Sequence, residues 1–141
     1  MKKTRLLSLF LALLLLSLPL SLSSCNKGSF TLYVNIDGET DKLEIDLGDY
    51  GSNPTFYDIL KQDDTLEADF DETGEPRLLS VCNVRADAGE SYMLLSSNPD
   101  QAGPDAHPSV YEDMTFYLLD DLLGVKPQKG TSYLLVLVKV A

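Results

Sequence analysis

The chain reads as an α+β domain, a mixed β-sheet with one short helix packed on one face. Three observations predict it. Apolar residues stand at every second position through 30–36 (Phe30, Leu32, Val34, Ile36), as in a strand with one face on a core. Phe56, Ile59 and Leu60 recur at i, i+3 and i+4, which makes one apolar stripe on a short helix. Residues 131–140 carry Tyr133, Leu134, Leu135, Val136, Leu137, Val138 and Val140, apolar on both faces, and such a strand belongs in the middle of a sheet.

The elements follow in order. After Asp37-Gly38 the alternation resumes with Leu43, Ile45 and Leu47, so 30–47 predicts a β-hairpin; Asp37-Gly38 has turn chemistry, within a connection nearer five residues than two. Gly48, Gly51 and Ser52 make a loop that leads to Asn53-Pro54. There Asn caps free amides and Pro suits the first helical position, so the helix begins at that point and ends near Gln62, its stripe across the hairpin's inner face. Leu66, Ala68 and Phe70 alternate with Glu67, Asp69 and Asp71, describing a half-exposed strand with an acidic outer face, and 72–76 is a turn. The apolar run 77–84 and the run 91–97 read as further strands around an Asp87-Ala88-Gly89 turn. Pro99, Pro104, Pro108 and Gly103 make 98–108 a loop, and 109–117 fits a small hairpin around Glu112-Asp113; 116–123 is apolar and suits helix or strand alike. No internal repeat is evident. The order is β-β-α-β-β-β, with 98–123 as an insertion before the last strand.

Ahead of this domain, Lys2, Lys3 and Arg5 run into a Leu-rich stretch over 6–20, then into small residues and a cysteine, the layout of a secretory signal. The apolar run is shorter than the roughly 20 residues a spanning helix needs, and no basic stop-transfer flank follows. Leu22-Ser23-Ser24-Cys25 resembles the lipobox of bacterial lipoproteins, whose cysteine thiol takes a diacylglycerol and becomes the first mature residue. The resemblance implies a signal peptide over 1–24, lipidation at Cys25, a short tether over 25–29 and an extracytoplasmic domain anchored to the cell membrane. Each buried methylene contributes about 0.8 kcal/mol, so two acyl chains hold where one is marginal.

Removing 24 residues from 141 leaves 117, the usual size of one domain, here 30–141. The leader takes three of the eleven Lys and Arg; the eight that remain face 22 Asp and Glu, a net charge of −14. Such a surface repels phosphate backbones, which argues against nucleic acid as a partner. With Cys25 acylated, Cys82 is a single thiol without a disulfide partner; within an apolar, strand-like run it reads as a small buried hydrophobe.

Motifs for chemistry are sparse. Asp69-Phe70-Asp71-Glu72-Thr73-Gly74 fits the first half of a calcium-binding EF-hand loop, but Arg77 and Ser80 stand where its ninth and twelfth positions need oxygen ligands, a bidentate Glu at the twelfth. Solvated acidic faces account for Asp63-Asp64 and Asp120-Asp121 better than an acid–base pair does. His107 has no second His or Cys at ligand spacing, and reads as a surface imidazole. There is no Gly-rich phosphate loop, no nucleophile elbow and no triad spacing, so an enzyme is not expected. Tyr50, Tyr57, Tyr92, Tyr111, Phe116 and Tyr117 are candidates to line a groove beside the insertion, against the plainer reading that they pack in the core.

Several runs, in this order, resemble the β-grasp domain related to the C-terminal domain of transcobalamin, a family frequent among bacterial surface lipoproteins. They are the opening strand 30–36, Thr55-Phe56-Tyr57-Asp58-Ile59-Leu60, Leu79-Ser80-Val81-Cys82-Asn83-Val84-Arg85-Ala86-Asp87, Glu90-Ser91-Tyr92-Met93-Leu94-Leu95-Ser96-Ser97-Asn98, and Gly124-Val125 with Lys129-Gly130-Thr131-Ser132-Tyr133. The chain departs from the family where Tyr92-Met93 replaces a common Tyr-Trp pair and where Asn98 is followed by Pro99 and the insertion. The resemblance implies a β-grasp-like fold and a non-catalytic small-molecule or cofactor-binding module, with a corrinoid as a possible ligand. It places Tyr92, Met93, Ser96 and Asn98 at the site. The alternative is an interaction or adhesion module that meets an envelope protein.

Overall fold

A computed structural model describes residues 28–139; the signal peptide read over 1–24, Cys25 and Val140 lie outside the described residues. The described chain is α+β, rich in strand, with a mixed six-stranded sheet in the order β2-β1-β9-β6-β8-β7 and a small sheet β3-β4-β5. The strands are β1 (Ser29–Ile36), β2 (Glu39–Asp46), β3 (Asp69–Asp71), β4 (Arg77–Val81), β5 (Val84–Arg85), β6 (Glu90–Ser96), β7 (Pro108–Tyr111), β8 (Met114–Leu118) and β9 (Ser132–Lys139), with one α-helix among the described residues, α1 (Phe56–Gln62). No helix among the described residues is long and apolar enough to cross a membrane.

The first hairpin is tighter than its apolar pattern suggests. β1 and β2 pair out to Ile36 and Glu39, so only Asp37 and Gly38 form the turn, both at positive φ (53° and 82°). Two left-handed residues match the twist of the flanking strands, and glycine takes the second position without a steric cost. Two other pairs adopt the same conformation, Cys82-Asn83 and Glu112-Asp113. The second is the tip of the hairpin between β7 and β8, in a stretch whose residues alone leave helix and strand open. The first divides the run 77–84 into β4 and β5, which places Cys82 in a half-buried turn and not in a strand. Burial raises its thiol pKa, with Asp41 and Glu67 adding to the shift.

The helix starts two residues later than Asn53-Pro54 indicates. Thr55 is the N-cap: its hydroxyl accepts from Asp58 N (3.2 Å) while Asp58 Oδ2 accepts from Thr55 N (2.9 Å). This reciprocal box satisfies two of the free amide groups that open any helix. Phe56 N and Tyr57 N donate to Val125 O and Leu123 O, so the end of the insertion covers the rest of that turn. Likewise the strand read over 66–71 shortens to β3. Glu67 turns to φ 43°, and buried Leu66 accepts through its carbonyl from Cys82 N (2.7 Å) where a strand partner was expected.

The sheet has two packed faces. On the front, Phe30, Leu32 and Val34 of β1, Tyr92 and Leu94 of β6, and Tyr133 and Leu135 of β9 are buried beneath α1 and the small sheet, together with Phe56, Ile59 and Leu60. On the back, Leu95, Phe116 and Leu134 are buried with Tyr33, Tyr111, Met114 and Val136 beside them. β9 lies between β1 and β6, parallel to the first and antiparallel to the second, so its two apolar faces meet two cores. The β7–β8 hairpin supplies the back one. β8 pairs with β6 only at Leu95 and Ser96, then the hairpin crosses the back face until Phe116 meets Tyr33 edge-on and Tyr111 OH reaches Asn35 Nδ2 (2.9 Å) and the Thr40 hydroxyl.

Asp113 holds φ 66° without the freedom of glycine. A left-handed residue with a Cβ costs about 1–2 kcal/mol, and extra unfolded-state entropy takes back part of the gain for glycine. Asp113→Gly is expected to raise unfolding stability by about 0.5–1 kcal/mol in urea titration, with the slope unchanged.

Candidate functional site

Two adjoining clefts follow the edge of β6. One, of about 550 Å³, is lined by Arg77, Leu79, Arg85, Asp87, Glu90 and Ser91 among others. The other, of about 170 Å³, is lined by Pro76, Arg77, Leu78, Ser91, Tyr92 and Asp121 to Leu123. Arg77, Leu78 and Ser91 belong to both, so they form one groove.

The groove exists because β8 leaves β6 early. Along Glu90–Ser96 every residue of β6 pairs with β9, but on its other side only Leu95 and Ser96 pair with β8. Leu94 O accepts from Leu119 N on that other side, and antiparallel geometry alternates, so Tyr92 also turns its backbone N–H and C=O away from β9. Those groups face the stretch of edge that β8 has vacated. Across the groove, β4 carries Arg77, which meets Asp71 in an exposed pair at 3.5 Å, and β5 carries Arg85, which makes no ion pair among the described residues. Such an exposed pair contributes little stability, so Arg77 is available to another anion. Asp87 and Glu90 close a turn at the outer end, Glu90 Oε1 accepting from Asp87 N.

The four residues that the family resemblance assigned to a site do not meet in one place. Tyr92 borders the groove but is buried in the front core, 6% exposed, and its hydroxyl donates to Val84 O (2.5 Å), so its ring offers no open wall. Met93 points to the opposite face of the sheet, next in register to Val136. Ser96 and Asn98 do come together, in a role internal to the fold. Ser96 is fully buried; its hydroxyl donates to Gln101 Oε1 (2.7 Å) and accepts from Asn98 N (3.0 Å), while Asn98 Oδ1 accepts from Asp100 N and Asn98 Nδ2 donates to Gln128 Oε1.

The aromatic candidates are dispersed too. Phe116 is wholly buried, Tyr57 stacks edge-on against Phe70, Tyr111 is bound to Asn35 and Thr40, and Tyr50 donates to Asp63 (2.8 Å). Of the acidic candidates, Asp63 also accepts from Thr65 N, and Asp121 Oδ1 accepts from Gly124 N (2.9 Å). In the EF-hand-like run, Asp71 Oδ1 accepts from Thr73 N and Glu72 pairs with Lys61 (2.5 Å) and Tyr57. No group of three or more His, Cys, Asp or Glu among the described residues could hold a metal ion. His107 is exposed in a separate cleft of about 440 Å³ with Asp105, Ser109, Leu118 and Asp120.

Sequence reading passed over Arg77, Arg85 and the apolar pair Leu122-Leu123. A signal was present, since these two are the chain's arginines outside the leader, eight positions apart around the Cys82-Asn83 turn. What the spacing did not reveal is the edge of β6 that faces them.

Two stability predictions follow from these hydrogen bonds. Ser96→Ala removes a buried hydroxyl that serves both a part-buried donor and a part-buried acceptor, and is expected to cost about 1–3 kcal/mol in urea titration. Burial raises the Asp63 pKa, but hydrogen bonds from Thr65 and Tyr50 outweigh it, and the net shift is below the ordinary 3.8. A depressed folded pKa contributes stability above the unfolded value, lost as pH falls through the folded one. Tyr50→Phe is therefore expected to cost about 1 kcal/mol at pH 7, with the gap from the unaltered protein closing below pH 3.8 in chemical denaturation. No family model matches the chain, and no curated protein matches it.

Proposed function

We propose that the chain is a lipid-anchored, extracytoplasmic binding module that holds a small ligand and catalyses nothing. The observation that carries this reading is the groove beside β6 and where it lies relative to the proposed anchor. β1 starts at Ser29, four positions after Cys25, at the end of the sheet where β6 finishes. The groove borders Gly89 to Tyr92, where β6 begins. A seven-residue strand spans about 20 Å, so an acylated Cys25 would leave the groove turned away from the bilayer.

Two further features support the reading. The order β2-β1-β9-β6, with β1 and β9 parallel at the centre and α1 across the front, supports the β-grasp-like reading. In each acidic pair that stood as a candidate acid and base, Asp63-Asp64 and Asp120-Asp121, one carboxylate (Asp63, Asp121) is engaged in a turn, which favours binding over hydrolysis. A corrinoid is the first class to test because of the transcobalamin-like runs; the narrowness of the groove and the burial of Tyr92 favour a smaller, more polar ligand. The alternative, an interaction or adhesion module, draws on Val110, 78% exposed on the edge strand β7.

Labelled palmitate fed to cells making the protein is expected to enter the intact chain and not Cys25→Ala; equal labelling of both would overturn the anchor. A thermal-shift panel of corrinoids, amino acids, short peptides and small organic acids is expected to give at least one hit among the polar classes. Inertness to the whole panel would overturn the binding reading and leave the adhesion alternative, for which Val110→Lys should reduce cross-linking of the anchored protein to envelope proteins.

A further inference from the structure

We infer that the groove beside β6 binds a short extended peptide through its free C-terminal carboxylate, a claim that rests on the chain being a ligand-binding module. Three independent features of the groove converge on that class of ligand.

The first is charge. The leader aside, the chain has only two guanidinium groups, and both line the same cleft of about 550 Å³. A guanidinium is planar and offers paired N–H donors that match the two oxygens of a carboxylate. Arg85 has no carboxylate partner among the described residues, and Arg77 has only the loose, exposed contact with Asp71. In a chain whose net charge is −14 once the leader is set aside, a polyanion is repelled at long range, whereas one carboxylate on an otherwise neutral or basic molecule is not.

The second is the open strand edge. Tyr92 N–H and C=O lack backbone partners on the side that β8 leaves, the carbonyl meeting only the Ser91 hydroxyl at 3.4 Å, and such a residue offers the two hydrogen bonds that an incoming extended chain makes. A simple organic acid has no groups to use them; a peptide has. The third is the apolar flank. Leu78, Leu122 and Leu123 border the narrower part of the groove next to Tyr92, where a residue of a bound strand would turn its side chain. Asp87 and Glu90 lie at the rim of the wider part and suit a basic group.

Calorimetric titration of the full chain in detergent with Ala-Leu-Leu, its C-terminal amide, its backbone N-methylated form and propionate tests each feature. The free acid is expected to bind at least tenfold more tightly than the other three. Arg77→Ala and Arg85→Gln are each expected to weaken the acid at least tenfold while leaving the amide unchanged, and Lys126→Ala, at the other end of the sheet, is expected to change neither. Equal affinity for acid and amide would overturn the carboxylate assignment. Equal affinity for the peptide and propionate, or for the N-methylated form, would overturn the strand-addition geometry. If none of the four binds while another class in the thermal-shift panel does, the peptide inference falls and the binding module stands; if the whole panel is inert, both fall.

Discussion

Tyr133 ties the structure together. It lies at the start of β9, wholly buried, with its ring edge-on to Phe30 at 5.4 Å and tilted against Phe56 at 6.4 Å. Phe30 and Phe56 also meet each other at 6.4 Å, so one aromatic trio joins the first strand, the helix and the last strand. The hydroxyl at the far end of the same side chain donates to Gln101 Oε1 (2.8 Å) and accepts from Gln128 N (2.9 Å). A buried phenol needs such partners, since an unpaired one costs more than its hydrogen bond contributes. Through Gln101, which also receives the Ser96 hydroxyl, the front core is connected to the loop that launches the insertion.

That connection decides where the insertion goes. Its first residues are held by Ser96, Asn98 and Gln101, so β6 ends in a fixed corner and the chain leaves the plane of the sheet. β8 returns to β6 for two residues only, because the hairpin it belongs to is drawn across the back face by Phe116 and Tyr111. Covering the back of β9 with the hairpin therefore uncovers the edge of β6. The two outcomes are one constraint, since a short strand cannot both complete the sheet and lie over its face.

The acidic surface is organised on a smaller scale than its net charge suggests. Carboxylates are used singly, as caps and turn acceptors: Asp58 on the helix, Asp63 and Asp71 on following threonines, Asp121 on Gly124. Lys61 shows the same local logic: Glu72 and Tyr57 hold its pKa above the ordinary lysine value. Against that background the two arginines of β4 and β5 are set apart, because among the described residues Arg85 has no such partner and Arg77 has only a loose one.

Periodicity made the strand 30–36, the helical stripe of Phe56, Ile59 and Leu60 and the doubly apolar last strand legible in the residues alone, because each depends on which side chains must leave water locally, whereas 109–123 stayed open between helix and strand. It misjudged 66–71 and the run 77–84, where left-handed Glu67, Cys82 and Asn83 break the alternation in favour of contacts between segments. The proposed anchor at Cys25 is likewise a reading of adjacent residues. The groove is of another kind: Arg77, Arg85, Tyr92 and Leu122 are distant in the chain, and they share a border only because the β7–β8 hairpin buries itself on the back face. By itself the sequence determined the α+β class and most of its elements; only tertiary structure decided which strand edge stayed open, since an edge is defined by what fails to pair with it.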